Sequence, residues 1–493
     1  MAARKLISRQ PNQRLEALLH EAGISNAGLA RRVNIRGSQR GLNLRHDKTS
    51  VSRWVRGQRP RVRTAVIISE VLSEKLDRTV SLDEIGMAYG KNLASNVGLT
   101  FVSDLAAATQ MACELWSCDA DPRGVVFGPT VAVSTLIGPS RDWLITACDA
   151  EVSREGGSQV HIADVEAVRE TTLALSSLDR SFGGGHTRSL AVHYLNAFVS
   201  GLLTGTYTEA IGRRLFAGVA QLTKHTALMT VDIGHPSLAQ RYYIQALRLA
   251  QAAGDRALGG FVLADGMANI APLLGHPREV VSLALAARGG TRSHSTPALE
   301  ALFHLTEARG HALVGDALSC EKSADLAIET LNEASSDSEP AWLTGFTAAH
   351  LADGLAHCYR DLGHPAESAR WAQAALDGLP RRDVRRRAID LLLLATARAE
   401  AGEVAEGCHH ALRAMELLGG LRSHLGMEYL SDFRQRLNRS RDSEARRAFE
   451  DQVASSGITL SRGPGGEAGA GETAVGRWHA AAPGLLEQTP AAK

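Results

Sequence analysis

Five short glycine turns recur through the second half of the chain: Ile233-Gly234-His-Pro, Leu274-Gly275-His-Pro, Val314-Gly315-Asp, Leu362-Gly363-His-Pro and Ala401-Gly402-Glu. The intervals between their glycines are 41, 40, 48 and 39 residues. Seven residues before each glycine stands an alanine (Ala227, Ala268, Ala308, Ala356, Ala395), and twelve after it stands another (Ala246, Ala287, Ala327, Ala375, Ala414). Five after it come Ala239, Val280, Cys320, Ser368 and Gly407, all small. Self-similarity at such a period marks a repeat architecture. Small side chains at fixed offsets let two antiparallel helices, one on each side of the turn, approach closely. A polar stretch at residues 332–340 accounts for the longest interval. One such hairpin exposes an apolar edge that only a stacked neighbour buries, so the expected fold is all-α.

Charge divides the chain in another way. Residues 1–91 hold 18 Lys/Arg and 8 Asp/Glu, a net +10, whereas the remaining residues carry −9 and the whole chain only +1. A basic head on an acidic body suits binding to nucleic acid through the head. Within it, Leu15, Leu18 and Leu19 share one helical face that Gly23 terminates. Ser25 offers an N-cap to a second helix that turns Leu29, Ala30 and Val33 inward. A long polar connection over residues 34–46 follows, and Asp47 caps a third helix whose inward positions are Val51 and Trp54, ended by Gly57 and Pro60. On this third helix Lys48, Thr49, Ser50, Ser52 and Arg53 lie on the outward, N-terminal side, where side chains meet base edges if the helix enters a major groove. Arg56, Gln58, Arg59, Arg61 and Arg63 cluster at its C-terminal turn, within reach of flanking phosphates. A fourth helix with Val66, Ile67, Val71 and Leu72 follows, and Ser81 with Glu84 predicts a capping box for a short fifth around Leu82 and Ile85.

Leu29-Ala30-Arg31-Arg32-Val33 and Val51-Ser52-Arg53-Trp54-Val55-Arg56-Gly57 give the head a resemblance to the lambda-repressor-like (XRE-type) helix-turn-helix family. That resemblance implies double-stranded DNA as partner, with the third helix as the recognition helix. Two features depart from the family. The connection after the second helix is about ten residues longer than the usual tight turn, and Val55 stands where an acidic residue often follows the tryptophan. The extra loop, with Arg36, Arg40 and Arg45, either touches DNA or stays disordered. The glycine and small-residue spacing resembles the tetratricopeptide repeat family, with the period lengthened from about 34 residues and the large aromatics reduced to Tyr243 in the first unit. This second resemblance implies an α-solenoid whose right-handed superhelix encloses a concave groove for a peptide, a protein partner or self-association. The whole layout, including Leu178-Asp-Arg-Ser-Phe-Gly-Gly-Gly-His-Thr-Arg188, Gly212-Arg-Arg-Leu-Phe-Ala217 and residues 239–250, looks like the streptomycete helix-turn-helix/tetratricopeptide regulators. Those include negative regulators of sporulation and antibiotic production, so the resemblance implies a repressor of differentiation or secondary metabolism.

The expected organisation is a helix-turn-helix DNA-binding domain at 12–90, an irregular helical linker domain at 91–226, tetratricopeptide-like repeats at 227–446 and a disordered tail at 456–493, where Gly, Ala and Pro abound without period. In the linker, residues 104–116 and 162–179 read as helices, residues 124–139 as a loop or short extended segment, and Gly205, Ala210 and Ala217 echo the repeat offsets of a worn first unit. The glycine run in residues 181–188 could cradle an anion at a helix start, but it lacks the Lys-Ser/Thr of a P-loop and follows a helix, so an interhelix turn is the better reading. The six cysteines are scattered, and Cys408-His409-His410 points its side chains in different directions, so neither a disulfide framework nor a metal site is expected. No cofactor motif and no catalytic constellation stands out, so an enzyme is not expected. No run of 18 uncharged apolar residues and no secretory h-region occurs, which suggests a cytoplasmic protein without a membrane span. Because one recognition helix rarely supplies enough specificity, a homodimer on paired half-sites is expected. The alternative is a tetratricopeptide interaction scaffold without sequence-specific DNA binding.

Overall fold

The computed structural model describes residues 11–39, 44–58, 60, 62–76, 78, 80, 82, 84–87, 97–120, 133–335, 339–343, 345–438 and 443–456. Among them the architecture is all-α, with two isolated β-bridges, Arg154 to Tyr207 and Gln159 to Thr206. No helix in this set is long and apolar enough to cross a membrane.

The head holds α1 (Gln13–Glu21), α2 (Asn26–Gln39), α3 (Lys48–Val55) and α4 (Val62–Leu76) around one core that includes Leu15, Leu29, Val33, Val51, Trp54 and Ile68. Among the described residues there is no fifth helix: Leu82 and residues 84–86 are in turns, with Arg78 paired to Glu84 at 2.9 Å and Asn12 Nδ2 donating to the Ile85 carbonyl at 2.7 Å. Ile85 still reaches the core, and Ser81 lies outside the described residues. The long connection is also shorter than the sequence suggests, since α2 continues to Gln39.

The body begins with α5 (Leu105–Ala120), α6 (Val133–Ile145), α7 (Ile162–Phe182), α8 (Gly184–Tyr194), a π-helical segment (Leu195–Val199), α9 (Ser200–Leu203) and α10 (Glu209–Asp232). Then follow α11 (Pro236–Ala253), α12 (Arg256–Phe261), a second π-helical segment (Val262–Met267), α13 (Ala268–Ile270), α14 (Glu279–Thr291), α15 (Pro297–Leu313) and α16 (Ala317–Asn332). The last are α17 (Ala348–Asp361), α18 (Pro365–Gly378), α19 (Val384–Glu400), α20 (Val404–Gly419), α21 (His424–Leu437) and α22 (Glu444–Ser455).

Each of the five repeat glycines closes a hairpin in the same way. Their φ values lie between +75° and +90°, the left-handed region that disfavours any residue with a Cβ. Each glycine N–H donates to the carbonyl three residues back, and the next N–H donates to the carbonyl five residues before it, all at 2.8–3.1 Å. This pair of bonds satisfies the last carbonyls of the first helix and reverses the chain. All ten alanines at the two fixed offsets have no exposed surface, as expected of residues where paired helices touch.

Four features of the body differ from those read from sequence. Residues 91–226 are not a separate layer, because α5 to α10 share one hydrophobic core with the first hairpins, extending from Val97 to Leu343. The first hairpin is α10 with α11, so the array starts at Glu209. Gly205 does not play the part of a repeat glycine: it immediately precedes the bridged Thr206 and Tyr207, and a Cβ there would come within 2.7–2.8 Å of Ser158 and Val160. Residues 133–139, expected as loop or extended, belong to α6, which is held in place by Trp143 seated against Gly259 and Gly290. At the other end α22 continues to Ser455, with Phe449 and Val453 buried, while the tail from residue 457 lies outside the described residues.

The array also closes on itself. α7 packs on α19 and α10 on α21, so helices from the early part of the body meet helices from its late part. Asp179 and Asp232 share Arg385, at 2.8 and 3.3 Å, and Ser423 donates to Asp232 at 2.5 Å. Along α11, Arg241, Gln245 and Arg248 stand on one face and donate to the carbonyls of Val97, Gly98, Thr100, Val102 and Ser103, binding that segment to the helix. Arg248 is further fixed by a two-pronged pair with Asp149 at 2.8 and 2.9 Å.

Candidate nucleic-acid interface

The third helix of the head is braced at both ends. At its start Asp47 accepts the Ser50 N–H at 2.8 Å, and the Asp47 N–H reaches the Ser50 hydroxyl at 3.5 Å, a reciprocal cap. The Ser50 N–H and hydroxyl, both donating to the Asp47 carboxylate, hold its pKa below the ordinary aspartate value. At its end Gly57, with φ +92°, donates to Trp54 at 3.0 Å, and Gln58 donates to Arg53 at 2.9 Å. The Asn12 N–H then ties Val55 to the start of α1 at 2.7 Å. Inward, Leu29, Ala30, Val33, Val51 and Trp54 are all buried, so α2 and α3 are fixed against each other by their apolar faces.

The connection between α2 and α3 has its own clamp. Asn34 donates through Nδ2 to the His46 carbonyl at 2.8 Å and accepts the His46 N–H at 2.9 Å. Leu44 lies over Gly37, where a Cβ would come within 2.5 Å of it. The His46 ring meets Trp54 edge-on at 4.9 Å, and burial, ahead of neighbouring charges, lowers its pKa. These contacts deliver the chain to the α3 cap despite the added length.

On the outer surface Lys48, Thr49, Arg53 and Arg56 are exposed, and Gln58 is half-buried. Ser52 is also half-buried, its hydroxyl donating to the Lys48 carbonyl at 2.9 Å and accepting from Asn26 at 3.2 Å. Ser50 corrects the sequence reading: it is only 8% exposed, and its hydroxyl is consumed by the cap and by Arg53 at 3.4 Å. A residue at the third position of a capped helix is drawn back toward the cap and away from the outer face. Arg59, Arg61 and the side chain of Arg63 lie outside the described residues, as does Arg40. Of the loop arginines, Arg36 pairs with Glu74 on α4 and Arg45 is exposed.

A shallow groove of about 640 Å³ runs between α2 and the start of α3, lined by Ala27, Ala30, Arg31, Asn34, Ile35, His46, Asp47 and Lys48. Arg31 thus joins Lys48 at one surface, a role the sequence reading did not assign. The signal was present as Ala27, Arg31 and Asn34 at helical spacing on one face of α2.

The other sequence candidates resolve into packing. The Gly183-Gly184-Gly185 run is a helix break at a crowded seam, where added Cβ atoms would meet Arg422 and Met229 at 2.5–2.9 Å. The Gly184 N–H donates to Asp232 at 2.7 Å, so the helix start that resembles an anion cradle holds the protein's own carboxylate. Among the described residues no three His, Cys, Asp or Glu side chains converge as a metal site, and all six cysteines are free thiols.

Fold and site together define a class: an all-helical protein whose small basic head presents a short, doubly braced cationic helix on a body of glycine-closed hairpins. Residues 15–88 match the family model described as the SP15 N-terminal domain. No curated protein and no solved structure matches the chain.

Proposed function

We propose that this chain is a DNA-binding transcriptional regulator. In this reading the head is an XRE-type helix-turn-helix domain and α3 is its recognition helix, with Lys48, Thr49 and Arg53 toward base edges and Arg56, Gln58 and Arg31 toward phosphates. The hairpin body is a tetratricopeptide-like array that senses a peptide or protein, or pairs the chain. Repression of differentiation or secondary metabolism, in the cytoplasm, is the role that the streptomycete resemblance suggests.

The observation that carries the proposal is the cationic outer face of α3, left exposed on a helix whose inner face and both ends are fixed. A helix held rigidly while Lys48 and Arg53 on its basic face make no ion pair among the described residues is arranged for a polyanion.

The test is capture of fragmented genomic DNA by the purified full-length chain, beside its Lys48→Ala/Arg53→Ala variant, followed by sequencing. Enrichment of a few sites by the native chain alone supports the proposal. Each lost phosphate contact should make the salt dependence of binding shallower by about one logarithmic unit. Retention of DNA without preference by both proteins, or by neither, refutes sequence-specific binding. It would favour the second reading, an interaction scaffold, for which the repeated hairpins of the body are the supporting observation.

A further inference from the structure

Residues 388–395 of α19 read Ala-Ile-Asp-Leu-Leu-Leu-Leu-Ala. The one ionisable residue in that run, Asp390, has no exposed surface. Among the described residues no fixed donor reaches either of its carboxyl oxygens. What it meets is a second carboxyl group, that of Asp353 on α17.

The two carboxyls are not equivalent. Arg386 donates to Asp353 at 2.7 Å, His357 Nε2 lies 3.6 Å from its other oxygen, and the Asp353 side chain keeps 14% exposure. Asp353 therefore has a bonded counter-charge and access to water, and Asp390 has neither. Burial works against the charge of Asp353, but Arg386 and His357 hold its pKa well below the ordinary aspartate value. Burial, and then the charge of Asp353, push Asp390 well above it. Two acceptors that face each other repel unless a proton lies between them, and a buried carboxylate without a partner takes up a proton in preference to keeping its charge. A metal ion is another way to join two carboxylates, but among the described residues no third His, Cys, Asp or Glu completes such a site.

The geometry points to Asp353 and Asp390 as a dyad that holds one proton in common, the Asp390 hydroxyl donating to Asp353, and to that proton as a pH-sensitive switch on the packing of α17 against α19. With the proton in place the pair carries one negative charge, answered by Arg386. Once it leaves, a second charge stands at the contact between two hairpins with no bonded cation to answer it, so rising pH loosens the late part of the array. The inference is independent of what the head binds.

The groups that face the pair keep their charge state while the dyad loses its proton. They are His350, His357 and Arg360 on α17, Arg386 and Arg387 on α19, Arg309 on α15, Arg180 on α7 and Tyr429 on α21. The buried acids on the same elements bind arginines of their own, Asp361 with Arg360, Asp179 with Arg385, Glu307 with Arg288 and Asp432 with Arg436. The remaining neighbours, α16, α18 and α20, bury no charged side chain. Burial lowers His350 to about 3 and His357 to about 4 and raises Tyr429 to about 12. From pH 6.5 to about 10, then, both histidines and the tyrosine are neutral and the arginines are charged.

The experiment compares the full chain with Asp390→Asn, whose amide donates to Asp353 at every pH. Infrared difference spectra at pH 7 should show the C=O stretch of a protonated carboxylic acid in the native chain and not in D390N. Urea unfolding supplies the second readout. The folded dyad keeps a proton that an unfolded aspartate, with its ordinary value of 3.8, has released, so stability falls as pH rises. The ratio of the native unfolding constant to that of D390N should therefore increase by about 30-fold or more between about pH 5 and pH 7. Should D390N fail to fold, Asp353→Asn removes the like charge instead, and Asp390 should then ionise beside Arg386 with loss of the acid band. A native chain without that band, as a water bridging two ionised carboxylates would give, overturns the inference. So does a ratio that stays flat with pH, or an acid band that persists unchanged in a folded variant.

Discussion

Asn34 shows how much one side chain decides in the head. Its amide closes both backbone positions of His46, and through His46 it sets where the chain enters the α3 cap. Asn34→Ala leaves a backbone N–H and carbonyl to find other partners, so unfolding by urea should report a loss of about 1–3 kcal/mol. An unchanged midpoint would mean that water replaces both bonds. The sequence placed residue 34 at the start of a loop, because nothing local reveals that its amide pairs with a residue twelve positions on. Ser50 was misplaced for the opposite reason: the Asp47 cap was legible, but its reciprocal bond from a serine, in place of the commoner glutamate, was not.

The hairpins are the element best written into the chain. Glycine in the left-handed region and alanine at the helix contacts are both local requirements, and both repeat five times. Ala356, without exposed surface on α17, should not accept a longer side chain. Ala356→Leu is expected to cost about 1–3 kcal/mol through overpacking, while Ala374→Leu on the exposed face of α18 should be nearly neutral. Thermal unfolding of the two variants distinguishes them, and equal midpoints would refute the close-contact role of the alanines. Residues 239–250 are a different case. Their polar residues were part of a family likeness, and the structure gives several of them a job: Arg241, Gln245 and Arg248 hold the segment at residues 97–103, and burial lowers the Arg241 pKa to about 10.

At the scale of the molecule, the clasp that joins α7 and α10 to α19 and α21 governs stability. Arg385 is its shared cation, and Arg385→Ala would leave Asp179 and Asp232 buried without it. Removing one partner of a buried ion pair typically costs about 3–5 kcal/mol, so a markedly lower unfolding midpoint is expected; a midpoint within a degree of the native chain would show the clasp to be dispensable. Acid should act on the same interior. Burial, ahead of the Arg309 charge and against the pull of Asp353, lowers the His357 pKa from 6.5 to about 4. Between these values the unfolded chain binds a proton that the folded chain refuses, so this histidine's stabilising effect is full above pH 6.5 and is lost as pH falls toward 4. Relative to His357→Gln, the native chain should lose about 1 kcal/mol per pH unit across that window. Parallel stability curves for the two proteins would refute the assignment.

What the sequence determined by itself are features settled within a turn or two of helix: the all-α class, the five glycine closures, the alanines between paired helices, and the core and Asp47 cap of α3. Each depends on residues a few positions apart, and the period of the helix writes such neighbours into the chain as a pattern. Only the tertiary structure decided that the array closes on itself, that Gly183 to Gly185 form a seam against Arg422, and that Trp143 needs Gly259 and Gly290. These contacts join residues about a hundred or more positions apart, and no periodicity along a chain encodes them, because close approach in space at that separation is set by the sum of all the packing between.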